Sequence, residues 1–500
     1  MINKRSCGVL MHITSLPSRY GIGTLGREAE RFAEWLRSAG QSYWQVLPIG
    51  PTGYGDSPYQ PFSSFAGNPL MIDLGELCAR GLLSRAECAA LDHGSDPSHV
   101  DFGKVNAARD DLLRKAFSNF KDDKGYENFV RKEADWLDDY ALFTALKREF
   151  GGVSWTEWDE DIRMRRPEAM EKYKEKLDGE IRYVKWCQYT FFRQWYRFHR
   201  MCRSKGISII GDIPIYVSPD CSDVWANPNL FELDERLNPR RVAGVPPDYF
   251  SETGQLWGNP LYNWDEMKKS GYEWWIKRVK KSAQLYDMLR IDHFRAFDTY
   301  YAIPFGNPTA EHGKWENGPG MDLFNAIREK LGDVNIIAED LGEIFDSVKK
   351  LLADSGFPGM RVLQFGFNPE NADNDHLPHN YPQNSVCYTG THDNATVVGW
   401  LNDADAASAN MAKRFVGKGM FDKFNDCMIR TAYASPSFLT IIPMQDVLGL
   451  GANGRLNNPS TIGGTWSWRL LSGQLRAKDA AKLRELAETY MRLNTNDGAK

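Results

Sequence analysis

Short apolar segments alternate with amphipathic helical segments along most of this 500-residue chain, and this alternation most constrains its fold. Eight of the apolar segments have the length and residue types of buried β-strands. They are residues 7–13, 43–47, 207–213, 288–292, 334–339, 360–367, 385–389 and 438–443. Each is separated from the next by a predicted helix or by an insertion that includes one. Eight such units predict a closed parallel α/β barrel, and an open doubly wound sheet is the alternative if two strands are misassigned.

Two long segments interrupt the alternation. Residues 75–185 carry charged helical patterns and almost no strand pattern, which predicts a helical insertion after strand 2. Residues 216–264 are predicted to form a long irregular loop insertion after strand 3. Neither segment is marked by a repeat or a low-complexity linker, so we expect residues 1–500 to form a single catalytic barrel.

Charge and composition exclude several classes of protein. A net charge of −5 and a pI near 6.1 provide no basic surface for nucleic acid. No apolar run approaches the roughly 18 residues that span a bilayer, and the N-terminus lacks the pattern of a signal peptide. We therefore expect a cytoplasmic protein that binds neither nucleic acid nor membrane. The eight cysteines include no Cys-x-x-Cys pair and are expected to be reduced.

Two segments match the Gly-x-Gly-x-x-Gly fingerprint of dinucleotide-binding sites, at residues 21–26 and 449–454. Seven residues, including Pro17, separate the first from its strand, so it cannot form the required tight turn. The second is followed by Asn-Asn-Pro instead of a helix. No His-Glu-x-x-His segment, cysteine cluster, calcium loop or phosphate loop is present. We therefore expect no cofactor and no metal, although a metal hydrolase remains a weaker alternative.

Three predicted strands end in carboxylates. Strand 4 places Arg290 and Asp292 on one face, strand 5 ends in Glu339, and Asp393 follows strand 7. Because the carboxyl ends of barrel strands meet at one mouth, these carboxylates should repel one another, and at least one should stay protonated near neutral pH. Burial favours Glu339 as that acid, which leaves an ionised nucleophile beside a proton donor. The structural alternatives are a buried ion pair at Arg290 and helix capping by Asp340.

Five motifs together resemble the 4-α-glucanotransferases of glycoside hydrolase family 77, also called amylomaltases or disproportionating enzymes. They are Gly55-Asp-Ser-Pro-Tyr59, Gly211-Asp-Ile-Pro-Ile-Tyr216, Arg290-Ile-Asp-His-Phe-Arg295, Ala338-Glu-Asp-Leu-Gly342 and Gly390-Thr-His-Asp393. The resemblance covers nearly the whole chain. It implies a (β/α)8 TIM barrel with insertions and without the β-domain that follows the barrel in α-amylases.

The resemblance also implies residue roles. Asp292 would be the nucleophile, Glu339 the general acid/base, and Asp393 the carboxylate that grips the sugar in the transition state. Implied substrate-binding residues are Arg290, His392, Tyr59, Asp212, Tyr249, Phe250, Gln255, Trp257 and His293. The implied substrates are α-1,4-glucans and maltooligosaccharides, with glucose as an acceptor.

Two other functions remain open from the sequence. An α-glucan hydrolase of the amylase type would use the same carboxylates, since only the competition between water and sugar separates hydrolysis from transfer. A non-catalytic glucan-binding protein would use the aromatic residues alone, which make up 13% of the chain. The full set of carboxylates argues against the binding protein.

Overall fold

Eight parallel strands close into a barrel in the computed structural model, which describes residues 4–247, 251–459, 461 and 463–493. Each strand pairs with its neighbours in chain order, and the eighth pairs with the first. They are here called barrel strands 1 to 8, in the order Ser6–Leu10, Tyr43–Gln45, Ser208–Pro214, Met288–Asp292, Ile336–Ala338, Gly359–Val362, Ser385–Tyr388 and Leu439–Pro443. The predicted (β/α)8 barrel is confirmed, and the open sheet is excluded.

Side chains along each barrel strand alternate between two apolar cores. One core takes residues from all eight strands and therefore fills the barrel interior, and Met288 belongs to it. Leu289 and Ile291 belong to the larger core between the strands and the helices. Because alternate residues share a face, Arg290 and Asp292 point to the interior side, as the sequence predicted.

Most of the α-helices lie in the connections between barrel strands, and the last two follow barrel strand 8. Their bounds are Arg27–Ser38, Leu74–Ala79, Arg85–Ala90, Phe102–Ser118, Lys124–Lys132, Ala134–Glu149, Glu160–Arg163, Pro167–Lys176, Asp178–Ser204, Ser222–Ala226, Trp264–Lys269, Glu273–Leu285, Met321–Leu331, Asp346–Ser355, Val397–Asp403, Ala406–Phe415, Phe424–Ala434, Met444–Leu448 and Ala477–Thr489. Among the helices of the described residues, none has both the length and the apolar composition needed to cross a bilayer.

The connection between barrel strands 6 and 7 differs from the expected alternation. All of its residues are described, and it holds only the single-turn 3₁₀ helices Leu363–Phe365 and Pro378–Asn380. The expectation of an α-helix between every pair of strands is wrong here. Residues 368–384 are rich in Asn, Asp and Pro, which favour turns over a continuous helix.

Residues 75–185 are fully described and form helices without a strand, in agreement with their helical spacing. Much of the aromatic content packs there, including Trp136, Trp155 and Trp158, which are buried. These tryptophans stabilise the interior, so the high aromatic content does not by itself indicate sugar binding. The assignment of this segment as an insertion stays a prediction.

Residues 216–264, predicted to be irregular, are partly ordered into strands. Arg241–Val245 and Gln255–Pro260 pair antiparallel and join Thr299–Pro304 and Lys314–Asn317 in a four-stranded sheet, here called the mouth sheet. The sequence did not predict this sheet because Gln-Leu-Trp-Gly-Asn-Pro and Lys-Trp-Glu-Asn lack a clear alternation of apolar and polar residues.

Candidate active site

The carboxyl ends of barrel strands 3, 4 and 5 bring four ionisable side chains to one mouth. In the parallel register, Asp212 lies opposite Arg290. Arg290 lies opposite Ile337, two residues before Glu339, so Glu339 falls opposite Asp292. Because paired residues of parallel strands share a face, the register alone explains why these side chains meet.

Arg290 is buried between two carboxylates. Its Nη1 donates to both oxygens of Asp212 at 2.9 and 2.7 Å, and its Nη2 lies 2.8 Å from Oδ1 of Asp292. Burial opposes the charged guanidinium, but the two carboxylates raise the pKa of Arg290 well above its usual value. The Asp212 side chain is fully buried, whereas that of Asp292 is 28% exposed. Asp292 is therefore the partner of Arg290 that a ligand in the mouth can contact.

Glu339 is the buried acid of the site. Its carboxylate accepts hydrogen bonds from the main-chain N–H of His293 at 2.6 Å and of Leu341 at 3.0 Å. Burial is the largest effect on the pKa of Glu339 and raises it, and the negative charge of Asp292 raises it further. Arg290 and the two N–H groups lower the pKa by less, so it is raised to about 8. The sequence predicted this direction from the apolar strand that ends in Glu339. At neutral pH the site thus holds one protonated carboxyl.

His293 supports Glu339 through an uncommon backbone conformation. Its φ of 54° and ψ of 48° place it in the left-handed region, which turns its N–H toward the Glu339 carboxylate. Burial, reinforced by Arg295, lowers the pKa of the His293 ring to about 3, so the ring is neutral. The ring meets the Trp257 ring edge to face at a centroid distance of 4.8 Å. The mouth sheet is thereby fixed beside the acid.

Asp393 lies on the opposite side of the mouth, after barrel strand 7. Its Oδ2 is 3.3 Å from Nε2 of His392, and its Oδ1 accepts a hydrogen bond from the side-chain amide of Asn457 at 2.6 Å. Burial in the mouth acts to raise the pKa of Asp393, but this effect is limited because the side chain is 42% exposed. Pairing with His392 and the hydrogen bond from Asn457 outweigh it and lower the pKa of Asp393 to about 2. Asp393 is therefore ionised across the neutral range.

Tyr59 joins the two sides of the mouth. Its hydroxyl donates to Oδ2 of Asp212 at 2.8 Å, and its ring stacks on the His392 ring at 4.9 Å between centroids. The Trp466 ring lies 5.7 Å from the Tyr59 ring. Burial raises the pKa of Asp212 to about 6 against the opposing charge of Arg290. Tyr59 is thus held by polar and stacking contacts at once.

The other predicted binding residues divide into two groups. Gln255 and Trp257 lie on the mouth sheet, where the indole N–H of Trp257 donates to Oε1 of Gln255 at 3.2 Å. Tyr249 and Phe250 lie outside the described residues. Within the described part of the chain, no group of three His, Cys, Asp or Glu side chains is placed to hold a metal ion.

Sequence reasoning missed two residues of the mouth and misjudged a third. Asn457 and Trp466 come from the loop after barrel strand 8, which none of the five motifs covers, and neither was given a role from the sequence. Asp340, expected to cap a helix, instead accepts the N–H of Met360 at 2.6 Å and pairs with Arg361 at 3.0 Å. It therefore ties barrel strand 5 to barrel strand 6.

Comparisons of sequence and of structure with known proteins all match 4-alpha-glucanotransferases or amylomaltases. Residues 11–474 match the sequence profile of glycoside hydrolase family 77, described as 4-alpha-glucanotransferase. The chain is 48% identical to a 4-alpha-glucanotransferase of Streptococcus pneumoniae over 500 residues, covering 99% of each chain. It is 46% identical to that of Thermus thermophilus, covering 98% of this chain and 99% of the relative. An amylomaltase structure from Streptococcus agalactiae in complex with acarbose superposes with a TM-score of 0.96 at 43% identity, covering 98% of this chain and all of that one.

Proposed function

This chain belongs to the 4-alpha-glucanotransferases of glycoside hydrolase family 77, and from that premise we propose how its barrel mouth moves a glucan segment. The reaction is a double displacement at one anomeric carbon, which retains the α configuration. The observation that carries this proposal is the pairing of a protonated, buried Glu339 with an Asp292 held by Arg290. One group can then donate a proton while its neighbour attacks.

In the first displacement, Asp292 attacks the anomeric carbon of the donor from the face opposite the bond that breaks. Glu339 gives its proton to the departing 4-oxygen, so the leaving segment departs as a neutral alcohol. The product is a glucosyl unit joined to Asp292 by a β-linked ester. Arg290 stabilises the negative charge of Asp292 before the attack.

In the second displacement, Glu339 is ionised and acts as the base. It accepts the proton from the 4-hydroxyl of an incoming sugar, whose oxygen attacks the anomeric carbon and releases the Asp292 carboxylate. Inversion at each of the two steps restores the α configuration. Both transition states carry positive charge on the sugar ring, which the ionised Asp393 stabilises. His392 lies beside Oδ2 of Asp393 and contacts the same sugar ring.

The substrates are α-1,4-glucans, and we propose that maltooligosaccharides serve as donors and glucose as the smallest acceptor. The similar amylomaltase of Streptococcus agalactiae was captured with acarbose, which supports an oligosaccharide site in this mouth. Tyr59, Gln255 and Trp257 are proposed sugar contacts, and Tyr249 and Phe250 are proposed to join them. The fully buried Asp212 is proposed to act in binding through Tyr59, whose hydroxyl donates to it. His293 is assigned to the binding site through its contact with Trp257. A cytoplasmic location stays a prediction.

Maltotriose alone provides a direct test of transfer. We expect the purified protein to convert it into glucose and a ladder of longer oligomers, because a sugar hydroxyl intercepts the glucosyl ester before water does. The products are resolved by chromatography, and the reducing-end concentration is followed in parallel. Transfer leaves the number of reducing ends constant.

A hydrolase gives the opposite result in the same assay. Only shorter products would appear, and the reducing-end concentration would rise with time. A protein that merely binds glucans would change neither quantity. Adding ¹³C-labelled glucose to the mixture tests the acceptor, since label at the reducing end of the longer products requires that glucose accepted a segment.

The raised pKa of Glu339 predicts a decline in activity at alkaline pH. Glu339 must be protonated to donate, and with a pKa of about 8 its acid form is lost as the pH rises through that value. We expect kcat/KM for maltotriose to fall about tenfold per pH unit above this point. α-Maltosyl fluoride needs no proton to release fluoride, so its kcat/KM should lack this decline. A decline shared by both donors would contradict the role of Glu339.

A further inference from the structure

One buried side chain holds both ends of the loop that carries Asp393. The hydroxyl of Thr389 donates to Oδ2 of Asp446 at 2.6 Å, and the N–H of Val397 donates to Oδ1 at 2.8 Å. Thr389 and Val397 are fully buried, and Asp446 is nearly so. The seven residues between these two ends include His392 and Asp393. Asp446 therefore acts as a clamp at the base of the loop.

The clamp is itself rigidly mounted. Asp446 lies on Met444–Leu448, the helical turn directly after barrel strand 8. The side-chain amide of Asn425 donates to its main-chain oxygen at 2.9 Å, which fixes the backbone. Val397 begins Val397–Asp403, so its N–H has no partner within that helix and favours a carboxylate. The clamp thus joins the ends of barrel strands 7 and 8.

A carboxylate in this position is unfavourable unless it has a use. Burial raises the pKa of Asp446 to about 6, against the two hydrogen bonds that lower it. In the described ranges of the chain, Asp446 forms no ion pair, and its carboxylate is held by Thr389 and Val397. An apolar residue would occupy this buried turn at a lower cost in free energy. The use of the carboxylate therefore lies in the two groups that it holds, the Thr389 hydroxyl and the Val397 N–H.

We propose that Asp446 is a positioning residue for the transfer reaction, which sets the loop so that the Asp393 carboxylate reaches the sugar ring. The proposal rests on the role given above to Asp393. Without the clamp, the Thr389 hydroxyl and the Val397 N–H are left buried and unpaired, and the loop must shift to satisfy them. A shift of about 1 Å in a positioned group can cost about 100-fold in rate.

Two substitutions at position 446 distinguish the effect of the two hydrogen bonds from the effect of the negative charge. In Asp446→Asn, the side-chain oxygen still accepts from Val397, and the amide group can donate to the Thr389 hydroxyl, which turns to accept. Asp446→Ala removes both bonds. With α-maltosyl fluoride as donor, we expect kcat/KM to fall by roughly 10- to 100-fold in Asp446→Ala and by less than about threefold in Asp446→Asn.

A double-mutant cycle with Asp393→Ala distinguishes positioning from general stability. If Asp446 acts through Asp393, then Asp446→Ala causes no further loss in the Asp393→Ala background. If Asp446 affects the rate by a route that does not involve Asp393, the two losses multiply. Thr389→Val removes one clamp bond with little change in shape, and it enters the same cycle if Asp446→Ala does not fold.

Asp287→Ala is the control for loss of a buried carboxylate, because Asp287 is also largely buried and accepts a main-chain N–H, from Ile209 at 2.7 Å. Unlike Asp446, it also pairs with His199 and Arg203, so its loss tests stability at least as severely. Asp287 directly precedes barrel strand 4 and so lies at the end of the barrel opposite the mouth. We expect Asp287→Ala to lower the melting temperature while kcat/KM stays unchanged at a temperature where the variant is folded.

Three outcomes overturn the proposal. Unchanged activity in Asp446→Ala, or multiplied losses in the cycle, would reduce Asp446 to a structural residue while Asp393 keeps its role. Full activity in Asp393→Ala would instead refute the role of Asp393, and the positioning role of Asp446 with it. The two failures are thus distinguishable.

Discussion

Asp292→Ala is expected to lower kcat for glucan transfer by about 10⁵-fold, because no other carboxylate of the mouth can form the glucosyl ester. Arg290 keeps its two hydrogen bonds to Asp212 in this variant, so no buried cation is left unpaired and the barrel should fold. Oligosaccharide binding should remain measurable by calorimetry. Retained transfer in the folded variant would remove Asp292 as the nucleophile.

Azide provides a sharper control for the same variant. With α-maltosyl fluoride as donor, azide can enter the space left by the Asp292 carboxylate, attack the anomeric carbon and displace fluoride. Because the attack comes from the face that Asp292 occupied, the product is β-maltosyl azide, which NMR distinguishes from the α anomer. An α product would show that the vacated position is not the nucleophile's.

The charged strand of this site was predictable because local pattern and tertiary structure agree there. Met288–Asp292 forms a strand with the predicted bounds, and alternation correctly placed Arg290 beside Asp292. Glu339 was predictable as a buried acid since an apolar strand leads directly to it. In both cases the information lies within five residues of the chain, where periodicity is a reliable signal.

Other parts of the site depend on contacts between residues far apart in the chain. Asn457 reaches the Asp393 carboxylate across 64 positions, and nothing in its surrounding sequence indicates that contact. The left-handed backbone of His293 is equally hidden, since non-glycine residues rarely adopt it and no local signal requires it. The mouth sheet escaped prediction because two of its strands, Gln255–Pro260 and Lys314–Asn317, show no clear alternation of apolar and polar residues. These features are set by tertiary packing and are visible only in the folded chain.

One arginine explains much of how the mouth divides its charge. Arg290 is paired with Asp212 and Asp292, while Glu339 receives only two main-chain N–H groups. A buried carboxyl without a cation of its own holds its proton more tightly than a paired one. The same strand register that brings these side chains together therefore also decides which of them is the acid. Substitution of Glu339 tests this assignment of the acid.

Glu339→Gln is expected to separate two kinds of donor. Maltotriose needs a proton on its leaving oxygen, so its kcat/KM should fall about 10³-fold in this variant. α-Maltosyl fluoride releases a good leaving group without a proton, so attack by Asp292 on it should slow by less than about tenfold. The first step is measured as the release of fluoride. Equal losses with both donors, in this variant and in Glu339→Ala alike, would mean that Glu339 is not the acid.

A second variant is needed because glutamine cannot satisfy both N–H groups that Glu339 accepts. Its amide nitrogen would face either His293 or Leu341 donor to donor, which can distort the site and slow both donors. Glu339→Ala avoids that conflict and leaves room for azide beside the glucosyl ester. Azide then attacks the anomeric carbon of the glucosyl ester and displaces the Asp292 carboxylate, so two inversions give α-maltosyl azide. The α anomer here and the β anomer with Asp292→Ala would together assign each carboxylate to one face of the sugar, and a shared anomer would refute the assignment.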